Sequence, residues 1–510
     1  MLSPTAPSDA SDRRSGRHRL TRLAVGGAIT GTALLLSAGA AFAADEAPTV
    51  ESVDSAVKSV SQSTNLLWVV IGAALVIFMQ AGFALVETGF CRAKHAAHVV
   101  STNFAIFGLG FIGFFLVGFP IAFGGFDGSA YWGDGGKAIG SALIGSGNWV
   151  FLWKGWGIYG DGVAPAMMGF FLYMVAFMDT TATIPTGSMA ERWKWKSFVI
   201  WGFFCGAIYY PLFASWTWGG GWLAKTWDTM NLGAGYVDFA GSGVVHAAGG
   251  VAAMAGAIVL GARIGKFDKD GKPKAIPGHH IPMAMLGTFI LLFGWFGFNA
   301  ASTFASSDVQ FATVAANTAI AAAFGAITGM LWITKRTGKP DPGMMANGML
   351  AGLVAITAPC AFVAPWAAAA IGIIAGVLVI ESVFFVERKL KLDDPVGAIS
   401  VHGVCGIFGV LAVGIFGNGK YGAGWNGSAS TGVKGIIKGD WGQLGAQALG
   451  ALVLCTVIFG VVYGFFRIQD TLSKKRGKGG IRSSEEDEQT GLDLPEMGVL
   501  AYPEFTGSRS

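Results

Sequence analysis

The sequence predicts an all-α polytopic membrane protein of eleven transmembrane helices, two five-helix inverted repeats plus a C-terminal helix. Three observations predict it: a charge-poor composition, eleven separated apolar runs, and a short motif that recurs five runs apart. Of 510 residues, 53% are hydrophobic and 13% charged, against about 25% charged in an ordinary soluble domain. Much of the surface must therefore face lipid. The formal charge of +4 is too small to point to a nucleic-acid partner. The cysteines Cys91, Cys205, Cys360, Cys405 and Cys455 are scattered, with no CxxC spacing. They read as small buried hydrophobes, neither disulfides nor metal ligands.

The N-terminus is set aside before the fold is considered. Arg13, Arg14, Arg17, Arg19 and Arg22 precede a short apolar run from Leu23 to Ala40, and Ala41-Phe42-Ala43 closes it before polar Asp45 and Glu46. That order predicts a cleaved signal peptide over 1–43, with a first membrane anchor as the alternative. Cleavage leaves 44–65 as a short periplasmic or extracellular segment and places the mature N-terminus outside.

A membrane helix needs roughly 20 mainly apolar residues. Such runs lie near 66–90, 102–125, 165–189, 197–222, 241–262, 281–301, 311–334, 344–361, 366–386, 398–416 and 443–467. They divide into a first repeat (66–262), a cytoplasmic loop (263–280), a second repeat (281–416), a final span (443–467) and a cytoplasmic regulatory tail (468–510). Charge placement tests the count. With the start outside, the internal loops carry Arg92 and Lys94; Arg192, Lys194 and Lys196; Arg263, Lys266, Lys269, Lys272 and Lys274; Lys335, Arg336 and Lys339; and Arg388, Lys389 and Lys391. The external loops hold only Lys137, Lys154, Lys225, Lys420, Lys434 and Lys438. This is the asymmetry of the positive-inside rule, and it predicts a multi-pass inner (plasma) membrane protein with a cytoplasmic C-terminus.

The recurring motif is DFAGSGVVHAAGG (238–250) against DPVGAISVHGVCG (394–406). In each, a His follows an Asp by eight positions and opens a span. Because five spans separate them, the two helices enter from opposite sides, as in an inverted repeat whose binding site lies near the midplane. A rise of about 1.5 Å per residue puts each His on the order of 12 Å inside its mouth, so His246 and His402 can meet in a core about 30 Å thick. Ionisable groups at that depth are costly and mark function. The alternatives are core histidines satisfied by carbonyls, or a metal site. A metal wants three or four ligands, and His279 and His280 lie in a loop. No cofactor is expected, and no nucleophile–base–acid set accompanies the pair to suggest an enzyme. Adjacent imidazoles can share a proton, which suits a pore that strips a weak acid of charge, since a dehydrated cation is not held in an apolar tube. Trp218 before Gly219-Gly220-Gly221, Phe177 in span three, and the run GWFGFNAAS (294–302) with Trp295, Phe298 and Ser302 sit near outer span ends or inside spans. Singly these are ordinary belt or core residues. Together they can form a cation–π site with a hydroxyl acceptor, worth up to ~2 kcal/mol once desolvated.

DFAGSGVVHAAGGVAAMAGAIVLGAR (238–263), GWFGFNAAS, SMAER (188–192), TWGGG (217–221), DDPVGAISVHGVCG (393–406) and GLDLPEMGVLAY (491–502) together resemble the ammonium transporter family (Amt/Mep/Rh), over essentially the whole mature chain. The resemblance implies that ammonium, with methylammonium, is recruited at Trp218, Ser302 and Phe177. It implies a gate of Phe177 and Phe298, and a twin-histidine pair, His246 and His402, through which ammonia crosses. Asp238 matches the acid behind the recruitment site, although the residue alone reads as an N-cap of span five. Trp295 matches a lumen position, with ordinary packing as the alternative. A homotrimer and a PII signal-protein partner at the cytoplasmic face are implied too; on residue chemistry Glu485-Glu486-Asp487-Glu488 in the tail is a solvated charge run. The alternative function is an ammonium sensor signalling to such a partner.

The chain also departs from the family. Gly397 stands where a second Asp is common, leaving Asp394 or another acid to support His402, and Pro120 replaces an outer Ser of some members. Asp179 is unexpected, either a proton-path carboxylate or a buried acid bonded to Thr180, Thr181 or Thr183. Glu87 and Glu381, near inner span ends, are expected to reach cytoplasmic bases.

Overall fold

A computed structural model of the chain describes residues 49–125, 140–155, 158–160 and 163–505; the expected leader at 1–43 lies outside them. Among the described residues ten helices are long and apolar enough to cross a membrane. In chain order these are α1 (Val50–Phe90), α2 (Ala93–Phe123), α3 (Pro165–Ser188), α4 (Trp195–Trp216), α5 (Ser242–Leu260), α6 (Ile281–Thr303) and α7 (Gln310–Thr337). After a shorter apolar helix, α8 (Pro342–Thr357), come α9 (Pro365–Arg388), α10 (Ile399–Phe416) and α11 (Trp441–Lys475). Every expected apolar run thus coincides with a helix, but the eighth falls short of the length that spans a bilayer unaided. Its end has a local cause. The N–H of Ala358 is donated to Ser242 Oγ at 2.7 Å, and Pro359 disfavours helix in the residue before it. α1 starts well before the expected residue 66, at Val50; over 50–60 it is exposed throughout, with an Asp54–Lys58 bridge of 2.7 Å.

Starts are written into the sequence. Prolines occupy the first positions of α3, α8 and α9, where a missing N–H costs nothing. Asp341 and Asp440 accept the N–H of Met344 and Gln443 at 3.1 and 3.0 Å, capping α8 and α11. One departure from all-α is a two-stranded antiparallel hairpin, β1 (Ser141–Ser146) and β2 (Trp149–Lys154), between α2 and α3. Gly147 at φ +55° makes its turn.

The two like-sequenced segments fold alike. Asp238 accepts N–H bonds from Gly241, Gly243 and Val244 at 2.7, 2.8 and 2.9 Å. Asp394 accepts them from Gly397 and Ile399 at 3.1 and 2.7 Å. Each acid is followed three positions on by a glycine in left-handed conformation, Gly241 at φ +113° and Gly397 at φ +81°. Gly397 therefore has a backbone reason: it makes the same turn as Gly241, where a β-carbon is disfavoured. Each helix then opens with a π turn, Ser242–Ala247 in one and Ile399–Val404 in the other. The helices cross backbone on backbone, since a β-carbon at Gly250 would land on His402 and Gly403.

The face bearing the basic loops is closed by a buried charge cluster. Arg263 Nε and Nη2 grip Asp393 at 2.8 and 3.0 Å, and its Nη1 bonds Glu191 at 3.0 Å. Arg92 Nε reaches the other Glu191 oxygen at 2.6 Å, and Arg192 bonds the carbonyls of Ala190, Gly261 and Asp393. Burial alone would raise the Glu191 carboxyl, but Arg263, His95 and Arg92 outweigh it and hold it below its ordinary value. Burial is likewise overcome at Asp393 by Arg192 and Arg263, which hold that carboxyl well below the usual range. Because both are depressed on folding, their contribution to stability is complete above the ordinary carboxylate range and is lost only as pH falls toward the depressed values.

Gly250→Ala is expected to lower stability by about 1–3 kcal/mol through overpacking, read as a fall in Tm in detergent. An unchanged Tm would contradict a backbone contact at this crossing.

Candidate functional site

A cavity of about 530 Å³ lies among Phe177, Trp218, Asp238, Ser302, Phe304 and Asp308, with further lining from 420–426. Four of the expected site residues thus share one chamber. Trp218 is fixed by its indole N–H, donated to the Asp238 carbonyl at 2.7 Å, so the ring and not its donor is what a ligand meets. Ser302 donates to the Phe298 carbonyl at 2.8 Å, with Tyr173 Oη 3.1 Å away. Its remaining lone-pair direction is available to a small donor. The Asp238 carboxylate is committed to backbone N–H groups, although it also borders the chamber. Pro120 is buried within α2 and is not part of the lining; Phe123, one turn on, is.

Below the chamber the side chains form a file. Phe177 meets Trp218 edge-on at 5.7 Å between centroids and stacks on Phe298 at 4.1 Å and 26°. Phe298 lies 5.3 Å from the His246 ring. Nδ1 of His246 and Nδ1 of His402 are 3.2 Å apart. One of the two must carry the hydrogen and the other accept it. Trp295 lies parallel to His246 at 5.0 Å and 19°, its N–H donated to Thr357 Oγ1 at 2.9 Å. It therefore walls the pair as well as packing. His246 is 0% and His402 5% exposed, and His246 Nε2 has no partner among the described residues. Phe298 sits in the π turn Phe296–Ala300 and both histidines in π turns of their own, a local rewinding frequent at functional sites.

Other expectations are not met in the form given. Asp394 makes no bond to His402; its oxygens hold Gly397 and Ile399, so it reaches the imidazole only through the turn it caps. Asp179 is 3% exposed with Oδ1 unpartnered, and the threonines expected to bond it do not. Thr180 and Thr181 donate to the carbonyls one turn back, at Ala176 and Phe177, and Thr183 donates to Asn103 Oδ1. For Thr180 and Thr181 the cause is helical geometry, which offers a threonine hydroxyl the i−4 carbonyl first; Thr183 is taken by the Asn103 amide oxygen instead. Glu381 does reach a base, Arg336 at 3.4 Å. Glu87 does not; it is buried against Asn103 and Thr186. Tyr173, Phe83 and Thr357, none singled out in the sequence, contact the file. Their apolar or hydroxyl side chains carry no signal that separates them from core.

The tail lies across the basic face. Glu488, expected to be solvated, is 1% exposed, accepting from Arg482 Nη2 and the Ile264 N–H, both at 2.6 Å. Asp493 accepts the His98 N–H at 2.8 Å and Tyr502 Oη bonds His279 Nε2 at 2.9 Å. Glu485 and Glu486 remain exposed, and Asp487 is half-buried.

A sequence profile described as the Ammonium Transporter Family matches residues 67–502. The chain belongs to the ammonium transporter family. Among relatives, the ammonium transporter Amt2 of Archaeoglobus fulgidus is 43% identical over 443 residues, covering 86% of this chain and 88% of that protein. Ammonium transporter 1 member 3 of Solanum lycopersicum is 33% identical, covering 87% and 94%. Among solved structures, a sensor Amt protein superposes with a TM-score of 0.72 at 36% identity, covering 86% of this chain and 99% of that one. Candida albicans Mep2 superposes at 0.70 with 28% identity, covering 88% and 93%. This member of the ammonium transporter family is thus a multi-pass membrane protein in which both imidazoles of the repeated motif share one buried contact.

Asp238→Ala is expected to cost about 2 kcal/mol, the upper range for a lost cap, because three N–H groups of the α5 turn lose their acceptor. Chemical denaturation in detergent measures it, and wild-type stability would remove the capping role.

Proposed function

We propose that the chain conducts ammonium as ammonia, with the proton handled separately. Ammonium gathers in the outer chamber against Trp218, Phe177 and Ser302, loses a proton on entry, passes the Phe177–Phe298 stack and crosses beside His246 and His402 before regaining a proton inside. The observation that carries this reading is the 3.2 Å Nδ1–Nδ1 contact between two imidazoles buried among aromatic rings. No acid is bonded to either ring among the described residues, so a permanent cation gains no countercharge there, and leaving one dehydrated costs far more than moving a neutral amine. A pair sharing one hydrogen can pass or hold a proton without net charge. Asp238 and Trp295 shape the chamber and the lumen wall, Asp394 sets the turn that carries His402, and methylammonium is a second substrate. The basic loops put the tail in the cytoplasm and the N-terminus outside in the plasma membrane, and the family resemblance argues for a homotrimer with a pore in each subunit.

The test is ion and uptake measurement in vesicles. Wild type should carry ammonium and reject potassium, while His246→Ala and His402→Ala should lower ammonium transport by on the order of 100-fold, the smaller end of what a positioned proton-transfer group contributes. Potassium flux comparable to ammonium flux defeats the scheme.

A second reading, that the protein reports ammonium to a PII-type partner, is favoured by the likeness to a sensor Amt protein and by the tail's bonds to three separate loops. Deleting 491–510 separates the two: lost signalling at wild-type uptake supports the sensor, and lost uptake with it supports a tail that serves conduction alone.

A further inference from the structure

Glu87 is a buried acid in the last turn of α1, one helical turn beyond Phe83 and 2% exposed. Among the described residues no lysine, arginine or histidine pairs with it. Its partners are neutral: Asn103 Nδ2 donates to Oε2 at 2.7 Å, and Thr186 Oγ1 lies 2.9 and 2.8 Å from the two oxygens. Those donors are themselves held, because Thr183 donates to Asn103 Oδ1 at 3.0 Å and Gln80 Nε2 donates to Thr183 Oγ1 at 3.0 Å. The carboxyl is thus fixed in place by four side chains from three helices, yet nothing neutralises it. A buried carboxylate without a countercharge is expensive, so the group must hold either a proton or a transient cation.

A small cavity opens beside it. About 20 Å³ is enclosed by Phe83, Glu87, Asn347, Leu350, Val396 and His402 among its walls. Holding one water needs about 10–15 Å³, so the space takes a single molecule of the size of water or ammonia. His402 is the inner member of the imidazole pair, and the ring of Phe83 lies 6.0 Å from it. The cavity is therefore the next station along the file, and Glu87 is the acid on its wall.

We infer that Glu87 is an inner ammonium site, at which the carboxylic acid returns a proton to arriving ammonia. This rests on the ammonia-conduction reading above. The Glu87 O–H bond breaks with its electron pair left on oxygen, and the ammonia lone pair forms the new N–H bond. The product is ammonium paired with carboxylate, overall neutral while it stays buried. Ammonium then leaves to the cytoplasm, and the carboxylate takes its next proton from cytoplasmic hydronium. Asn103 and Thr186 are positioning residues, stabilising the anion for the interval in which it stands alone.

The experiment compares wild type, Glu87→Gln and Glu87→Asp in lipid, by ammonium uptake and by infrared difference spectra on adding ammonium. Wild type should lose a protonated-carboxyl band and gain a carboxylate band. Glu87→Gln, nearly the same shape, should lack both changes and take up ammonium at least about tenfold more slowly, well inside the loss expected when a proton-transfer group is removed. Glu87→Asp should keep the bands at displaced positions with part of the uptake. Unaltered uptake in Glu87→Gln, or bands that persist in it, overturns the inner site. If the Gln variant does not assemble, the Asp variant decides: displaced bands support the site and undisplaced bands overturn it. A wild type that carries no ammonium fails the conduction reading itself, whereas wild-type conduction with an indifferent Glu87→Gln removes only the inner site.

Discussion

Two peptide backbones touch where α5 crosses α10, and the placement of nearly every functional side chain follows from that contact. With Gly250 against His402 and Gly403, no side chain separates the helices. The imidazole one turn before Gly250 is brought to 3.2 Å from its counterpart. The π turns at each helix start aim both rings into the same space. The aromatic file lies on one side of the pair and the acid-walled cavity on the other. Where lipid supplies no hydrophobic drive between helices, such close packing of small residues is what holds a bundle together.

The distribution of charge separates two regimes in one molecule. At the basic face, arginines meet carboxylates in a closed cluster: Arg92 and Arg263 pair with Glu191 and Asp393, while Arg192 holds main-chain carbonyls beside them. Along the file the rule is the opposite: titratable groups meet neutral donors, rings or one another. Glu191 and Glu87 end up in different chemistry although both are buried acids near the same face, and the difference is whether an arginine lies within reach.

Composition and run length were enough to read the helices, because lipid forces backbone bonds to be satisfied inside each segment. The repeated Asp and His made the shared site legible as well, and the paired turns at Gly241 and Gly397 explain why a glycine replaces a second acid there. What the sequence could not carry is pairing across distant helices. Nothing in the run around Glu87 indicates that Asn103 and Thr186 will meet it before any base does. Asp179 is similar, since Thr180 and Thr181 turn to their own helix and Thr183 to Asn103 of another. The length of α8 depended on a hydroxyl from Ser242, and the burial of Glu488 on Arg482 and a loop far back in the chain, neither of which leaves a local mark.

The strap formed by the tail bears on how the molecule comes together. Its bonds join residues almost four hundred positions apart, as between His98 and Asp493. Contacts of that separation are slow to form, and these cannot form until the residues around Asp493 have been made. The loops after α1, α5 and the rest therefore leave the ribosome unfastened. Helices made earlier are free to cross before the clasp can close, so the strap is fastened over a basic face whose own ion pairs are already in place.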